Sequence, residues 1–250
     1  MTKVKAVILA AGKGTRMKSE LPKVIHTALG KPMVEYSIEA AMGAGAAEKD
    51  ICLVVGHKAE LVKKEVKENV TYVEQKEQLG TGHAVKCAEK FIGKDGITMV
   101  LCGDTPLITG ETLKKLVDIH VKEKNAITVL SAYADDPSGY GRIIKDSWGK
   151  FMKIVEHKDA SHEERRVNEI NSGMYIFNSD VLSKALKKLT NDNAQGEYYL
   201  TDTIQIAKEL GLGEVETVEI DDMNEIMGVN SVEELQVAEK VLADRASRGL

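Results

Sequence analysis

The chain lacks long apolar runs, paired cysteines and any excess of basic residues. No stretch of about 18 apolar residues occurs, and the amino terminus leads directly into a strand pattern. Neither a membrane span nor a signal peptide is therefore expected. Cys52, Cys87 and Cys102 are odd in number and show no Cys-x-x-Cys spacing. Each stands in an apolar or helical context, so three buried free thiols in a reducing, cytoplasmic setting are expected. The six histidines form no His-x-x-x-His pair, which argues against zinc. A net charge of −5 argues against a nucleic-acid partner, although it leaves room for a local basic pocket. Internal repeats, low-complexity tracts and linkers are also missing.

What is present reads as a globular α/β chain. The 250 residues are 43% hydrophobic and 29% charged, enough to bury a large core. An apolar run over 4–9 has the pattern of a buried strand and passes into Leu9-Ala10-Ala11-Gly12-Lys13-Gly14-Thr15-Arg16-Met17. Glycines here let the backbone approach a ligand, successive N–H groups can form an anion nest, and Lys13 and Arg16 add positive charge. Such a turn after a strand suits a nucleotide cradle, and an ordinary strand-to-helix turn is the alternative. It is not a dinucleotide fingerprint, because Met17 stands where a third small residue belongs. Nor is it a P-loop, because Lys13 precedes the second glycine.

Further elements follow in order. Residues 21–25 read as a short extended segment, with Lys23 facing either the loop or solvent. A helix is expected over 32–42, a strand over 51–55, a helix over 60–67 and a strand over 71–73. Gln75 offers both a donor and an acceptor for a nucleobase edge, and Gly80-Thr81-Gly82 opens a helix to about residue 90. The two are equally readable as a surface glutamine and a capped helix start. Residues 97–102 form the cleanest core strand and end in Gly103-Asp104-Thr105-Pro106. Asp104 is placed at a crevice suited to Mg²⁺, with a simple turn as the alternative. A helix over 111–122 and a strand over 126–132 extend the βαβ series. Residues 142–156 then read as an antiparallel insertion around Ser147-Trp148-Gly149. A strand over 174–177, a helix over 180–189, a strand over 215–220 and a helix from Ser231, with Glu234 completing a capping box, finish the chain. The sites are assigned to one compact unit.

Taken together, these segments resemble the sugar-nucleotide pyrophosphorylases, and most closely the uridylyltransferase domain of bifunctional bacterial N-acetylglucosamine-1-phosphate uridylyltransferases. The resemblance rests on the first loop, Leu21-Pro22-Lys23, Gln78-Leu79-Gly80-Thr81-Gly82-His83-Ala84, Gly103-Asp104-Thr105-Pro106-Leu107 and Gly139-Tyr140-Gly141-Arg142-Ile143. It continues through Val155-Glu156-His157-Lys158-Asp159, Glu169-Ile170-Asn171-Ser172-Gly173, Asn193-Ala194-Gln195-Gly196-Glu197-Tyr198-Tyr199 and Gly228-Val229-Asn230.

The resemblance implies a Rossmann-like mixed, mostly parallel sheet flanked by helices. It places the transferase unit at 1–230, with an embedded antiparallel sugar-binding lobe within about 135–225, and a carboxyl-terminal helix over 231–250. It implies UTP and N-acetylglucosamine 1-phosphate as substrates, Mg²⁺ as cofactor, and no nucleic-acid or membrane partner. Leu9, Ala10, Ala11, Gly12, Gln75, Gly80, Thr81 and Gly103 would hold the nucleotide. Arg16, Lys23 and Asp104 would carry catalysis, and Asp104 with Asn230 would hold the metal. Gly141, Glu156, Asn171 and Tyr198 would line the sugar pocket. In-line attack by a phosphate oxygen needs no Ser, Cys or His nucleophile, which matches the lack of a nucleophile–base pair. The hexapeptide β-helix of the bifunctional members does not follow, so a stand-alone transferase or a piece of a longer one is expected, with no acetyl transfer and no trimer. The alternatives are transfer to another sugar phosphate or from another nucleotide, such as glucose 1-phosphate or dTTP, and a non-catalytic nucleotide-sugar-binding regulator. A Rossmann oxidoreductase is disfavoured by Met17.

Overall fold

In the computed structural model, which describes residues 2–248, the apolar runs form strands and the amphipathic stretches cover them. The chain begins with β1 (Val4–Ala10), a small clip of β2 (Thr27–Ala28) and β3 (Lys31–Pro32), and α1 (Met33–Gly43). Next come β4 (Ile51–Val55), α2 (Ala59–Glu65), β5 (Thr71–Glu74), α3 (Thr81–Cys87), α4 (Glu89–Ile92) and β6 (Ile97–Cys102). Then follow α5 (Gly110–Glu123), β7 (Ile127–Tyr133), β8 (Arg142–Lys145), β9 (Phe151–Val155) and β10 (Glu169–Asn178). The last elements are α6 (Ser179–Leu186), α7 (Asp202–Glu209), β11 (Val215–Glu219) and α8 (Val232–Arg248). No helix is long and apolar enough to cross a membrane among the described residues.

The main sheet runs β11-β7-β10-β6-β1-β4-β5. Strand β1 pairs in parallel with β4 and β6, through Ala6↔Ile51 and Ala6↔Met99. Both faces of these strands are buried, which explains their unbroken apolar composition. Ile8, Leu53 and Leu101 pack with Ile38, Val62 and Leu116 on one face. Val7, Val54 and Val100 pack with Val85, Leu182 and Ile204 on the other. Alternation along each strand thus supplies two cores, one under each helix layer.

The βαβ step through α5 does not place β7 beside β6. Strand β10 lies antiparallel between them, paired through Ile176↔Met99 and Ile176↔Thr128. It also runs from Glu169, well before the expected start at 174, because residues 169–171 find ladder partners on β7. The register shifts between Asn171 and Tyr175, a bulge that re-aims the side chains there. The hairpin of β8 and β9 forms the expected antiparallel insertion and joins β10 through Ile170↔Arg142.

Other expectations are corrected. Residues 21–25 are not extended throughout. Lys23–Ile25 form a 3-10 turn, in which Ile25 N–H donates to Pro22 O at 3.1 Å. Proline restricts the residue before it, not those after it, and burial of Val24 and Ile25 decides the turn. The helix expected to continue to about residue 90 is interrupted at Ala88. Of the three thiols only Cys52 is fully buried. Cys87 and Cys102 are partly buried.

The start of α5 is fixed by a distant carboxylate. Buried Glu225 accepts from Thr109 N and Thr109 Oγ1 through one oxygen, at 2.9 Å each, and from Thr112 Oγ1 at 2.9 Å through the other. Glu225→Ala strands three donors at once and is expected to cost about 3 kcal/mol. Thermal unfolding then shifts down by roughly 10 °C, measured by circular dichroism.

Candidate active site

Because β1, β4 and β6 are parallel, their carboxyl ends open on one edge of the sheet, where an α/β sheet binds its ligand. A cavity of about 310 Å³ lies there. Leu9, Ala10, Ala11, Gly12, Gln75, Gly80 and Thr81 line it, together with Lys23 and Asp104. Gly103 lies behind the wall rather than in it. Its N–H donates to Leu9 O at 3.0 Å, and a Cβ there would come within 2.9 Å of that oxygen. Above Gly12 the space is open, with nothing within 4 Å of a Cβ position. Gly14 is required for another reason. Its φ is +62°, and a Cβ would sit 2.4 Å from Lys23 Cβ, so the loop packs directly on Lys23. Arg16 is exposed on the following turn, Thr15–Met17, outside the cavity lining.

Lys23 closes one side of the cavity. Its ammonium donates to Asp104 Oδ2 and, at 2.9 Å, to Asn230 Oδ1. Asn230 is brought there by its neighbour, since Val229 N–H donates to Asp104 O at 2.8 Å. Its own Nδ2 donates to Gly228 O at 2.9 Å, which turns Oδ1 toward the cation. The expected capping box then starts α8, with Glu234 N donating to Ser231 Oγ and Ser231 N donating to Glu234 Oε2, both at 3.2 Å. Two hard oxygens thus converge on one positive charge, a donor set that suits Mg²⁺. Among the described residues no group of three His, Cys, Asp or Glu side chains forms a cage. A magnesium ion there would complete its shell with phosphate and water, as this ion usually does.

At the other end, Gln75 is buried and its Nε2 donates to Gly80 O at 3.0 Å. Gly80 has φ +107°, and a Cβ would lie 2.6 Å from Tyr198 O, so backbone meets backbone here. Gly82 N–H donates to Tyr198 O and Tyr198 N–H to Leu79 O, each at 2.8 Å. The Tyr198 ring faces α3, 6.2 Å from the His83 ring and 6.0 Å from Lys86 Nζ. It contributes backbone to the Gly80 end of the cavity.

Gly141, Glu156 and Asn171 are brought together in the lobe. Asn171 N–H donates to Gly141 O at 2.9 Å, and a Cβ on Gly141 would lie 3.6 Å from Glu156 Oε2. Asn171 Nδ2 donates to Tyr175 OH at 2.7 Å, and its Oδ1 accepts from Gly173 N at 3.2 Å. Thr201 Oγ1 donates to Glu156 Oε1 at 3.0 Å. Gly173 links this group to the cavity, because its carbonyl faces Cys102 Sγ at 3.8 Å and Cys102 lines the wall.

Residues 5–222 match the family described as nucleotidyl transferase. The chain belongs to this family. It is 54% identical over 245 residues to the bifunctional protein GlmU of Caldanaerobacter subterraneus subsp. tengcongensis, covering 98% of this chain and 53% of that protein. It is 50% identical to bifunctional protein GlmU of Clostridioides difficile, covering 96% and 52% respectively. The chain therefore spans about half the length of the curated relatives it matches. A solved UDP-glucose pyrophosphorylase complexed with UDP-glucose superposes with a TM-score of 0.78 at 22% identity, covering 98% of this chain and 100% of that one, which establishes a shared fold.

Several residues of this nucleotidyl transferase site carried no assigned role in the sequence reading. Gln78 and Glu197 line the cavity, and Thr201 holds Glu156. The first two lie inside the motifs that carry the resemblance, and Thr201 follows one of them closely. Their signal was position, not chemistry.

Electrostatics separate the two ends of the site. Burial pushes the Cys102 thiol up to about 12, with the Asp104 charge adding to it, so the thiol in the wall beside Asp104 is neutral. Burial also holds the Glu156 carboxyl above its ordinary value of 4.5, against the opposing bond from Thr201. A carboxyl raised in the folded state favours folding in acid, and that contribution is lost as pH rises from 4.5 through the raised value. Glu156→Gln keeps an acceptor for Thr201 and never ionises. It is expected to melt above wild type near about pH 8 and together with it near about pH 4, by calorimetry at both values.

Proposed function

We propose that this chain transfers a uridylyl group from UTP to N-acetylglucosamine 1-phosphate, forming UDP-N-acetylglucosamine and pyrophosphate. The observation that carries this reading is one cavity that brings Gln75 and Gly80 together with Lys23 and Asp104. Asn230 joins the last two through Lys23, and the group Gly141, Glu156 and Asn171 reaches the Cys102 wall of the cavity through Gly173. These three groups suit phosphates, base and sugar as their chemistry differs: cation and oxygens, amide and backbone, carboxyl and carboxamide. Identity of 50–54% to bifunctional GlmU proteins supports the same reading.

Each part has a chemical task. The backbone from Leu9 to Gly12 receives the nucleoside, with Gln75, Gly80 and Thr81 at the base and Gly103 fixing the wall behind Leu9. Asn171 and Glu156 hydrogen-bond the sugar hydroxyl and amide groups, with Gly141 leaving room for the ring. The attacking atom is a phosphate oxygen that is already anionic near neutral pH, so no side chain has to generate a nucleophile. Lys23 moves from Asp104 to phosphate oxygens as the triphosphate enters. Arg16 meets the outgoing pyrophosphate from the loop side. Asp104 and Asn230 would hold Mg²⁺, which when bound neutralises charge around the reacting phosphates. Catalysis is then positioning and charge compensation. The free thiols suit a reducing compartment such as the cytoplasm, and a net charge of −5 suits small-molecule rather than nucleic-acid partners.

Pyrophosphate release with UTP and Mg²⁺ tests the assignment, comparing N-acetylglucosamine 1-phosphate with glucose 1-phosphate. Release confined to the N-acetylated sugar is expected, and release with glucose 1-phosphate alone moves the assignment to another sugar. Asp104→Asn is expected to lower turnover at least about tenfold, a loss above about 1.4 kcal/mol in the transition state. Unchanged turnover with unchanged Mg²⁺ dependence removes Asp104 from the chemistry.

A further inference from the structure

Gln75 carries an ambiguity that its surroundings resolve. A carboxamide presents a donor on one side and an acceptor on the other, and a flip exchanges them. Its Nε2 lies 3.0 Å from Gly80 O and 3.1 Å from His83 Nδ1. A carbonyl oxygen only accepts, so the atom facing Gly80 must be the amide nitrogen. His83 Nδ1 then has to accept as well, which requires a neutral ring with its proton on Nε2. That proton points toward Cys87 Sγ, 4.0 Å away, on the same helix. The Tyr198 ring lies on the other side of the imidazole, with ring centroids 6.2 Å apart.

With both amide hydrogens assigned, the remaining group of Gln75 is Oε1, and Gln75 lines the cavity. An acceptor fixed in that position matches a base whose ring nitrogen carries a hydrogen, as N3 of uracil does. Cytosine presents a lone pair at N3 and would oppose it. We propose that His83, which need not touch the nucleotide, acts with the Gly80 carbonyl to lock the hydrogen-bond polarity of Gln75 and so makes the base site select an imide edge over a cytosine edge. The proposal deepens the uridylyl-transfer reading and rests on its placement of the base at Gln75. His83 is a positioning residue, and the Gly80 carbonyl is its backbone counterpart.

Removing the imidazole acceptor leaves Gly80 O as the one anchor, and the flipped amide becomes accessible. One net hydrogen bond of ordinary strength corresponds to about a tenfold change in preference. The test is calorimetric binding of UDP, CDP and 5-methyl-UDP to the full chain, comparing wild type with His83→Phe and His83→Asn. Phenylalanine keeps a ring against Tyr198 and loses the acceptor. Asparagine loses the ring and keeps an oxygen near the Nδ1 position. The UDP-to-CDP affinity ratio is expected to fall about tenfold in His83→Phe and to persist in His83→Asn. The ratio of 5-methyl-UDP to UDP stays constant across all three proteins, because the methylated base has the same imide edge. His83→Ala repeats the acceptor loss if phenylalanine is not accommodated.

An undiminished UDP-to-CDP ratio in both His83→Phe and His83→Ala overturns the proposal. So does an equal loss in His83→Asn, which would make the ring rather than the acceptor responsible. Equal binding of UDP and CDP by wild type overturns it too. Nucleotide discrimination that follows the acceptor, without pyrophosphate release from any sugar phosphate, leaves this inference standing and removes the proposed reaction.

Discussion

The Lys23 ammonium is held between oxygens from two segments lying 81 and 207 residues further along the chain. The site is arranged around this contact. The glycine loop packs on the Lys23 stem through Gly14, β6 delivers Asp104, and the start of α8 delivers Asn230. A cation bridging two oxygens at the cavity wall keeps the carboxylate compensated. Pairing and hydrogen bonding are what make such a partly buried charge tolerable. In the proposed reaction the same oxygens would serve a metal once phosphate engages the lysine.

The fold supplies this arrangement through strand direction. Parallel β1, β4 and β6 bring loops from separate parts of the chain to one edge, and antiparallel β10 adds a bulge beside that edge. The bulge places Asn171 over Gly141 and Gly173 next to the Cys102 wall. Placing the lobe on β10 therefore couples the proposed sugar pocket to the central sheet. Glu156 illustrates the cost, since burial disfavours its charged form in the folded chain. Its burial there is a local concession of stability, opposed by the bond from Thr201.

Much of this was legible in the residues. The apolar runs that became β1, β4 and β6 were plain, because a strand buried on both faces needs continuous hydrophobicity. The Gly-Asp step after β6 marked Asp104, and Ser231 with Glu234 marked the start of α8. Pairwise geometry was less accessible. The periodicity of residues 169–178 tells which way side chains point, but not that the strand inserts between β6 and β7. The partner of Lys23 depends on contacts across the whole chain, which local spacing does not encode. The Tyr198 ring faces α3 because its backbone is committed to Leu79 and Gly82. Thr201 escaped notice because a hydroxyl near a helix start reads first as a cap.

The central claim is that one position between Asp104 and Asn230 is shared, by Lys23 before substrate binds and by a divalent ion afterwards. Anomalous diffraction from crystals grown with Mn²⁺ and UDP-N-acetylglucosamine tests it most directly. The account predicts a manganese peak bounded by Asp104 and Asn230, with Lys23 transferred to phosphate oxygens. A peak bound elsewhere, with Lys23 still bonded to Asp104 beside the nucleotide sugar, would contradict it.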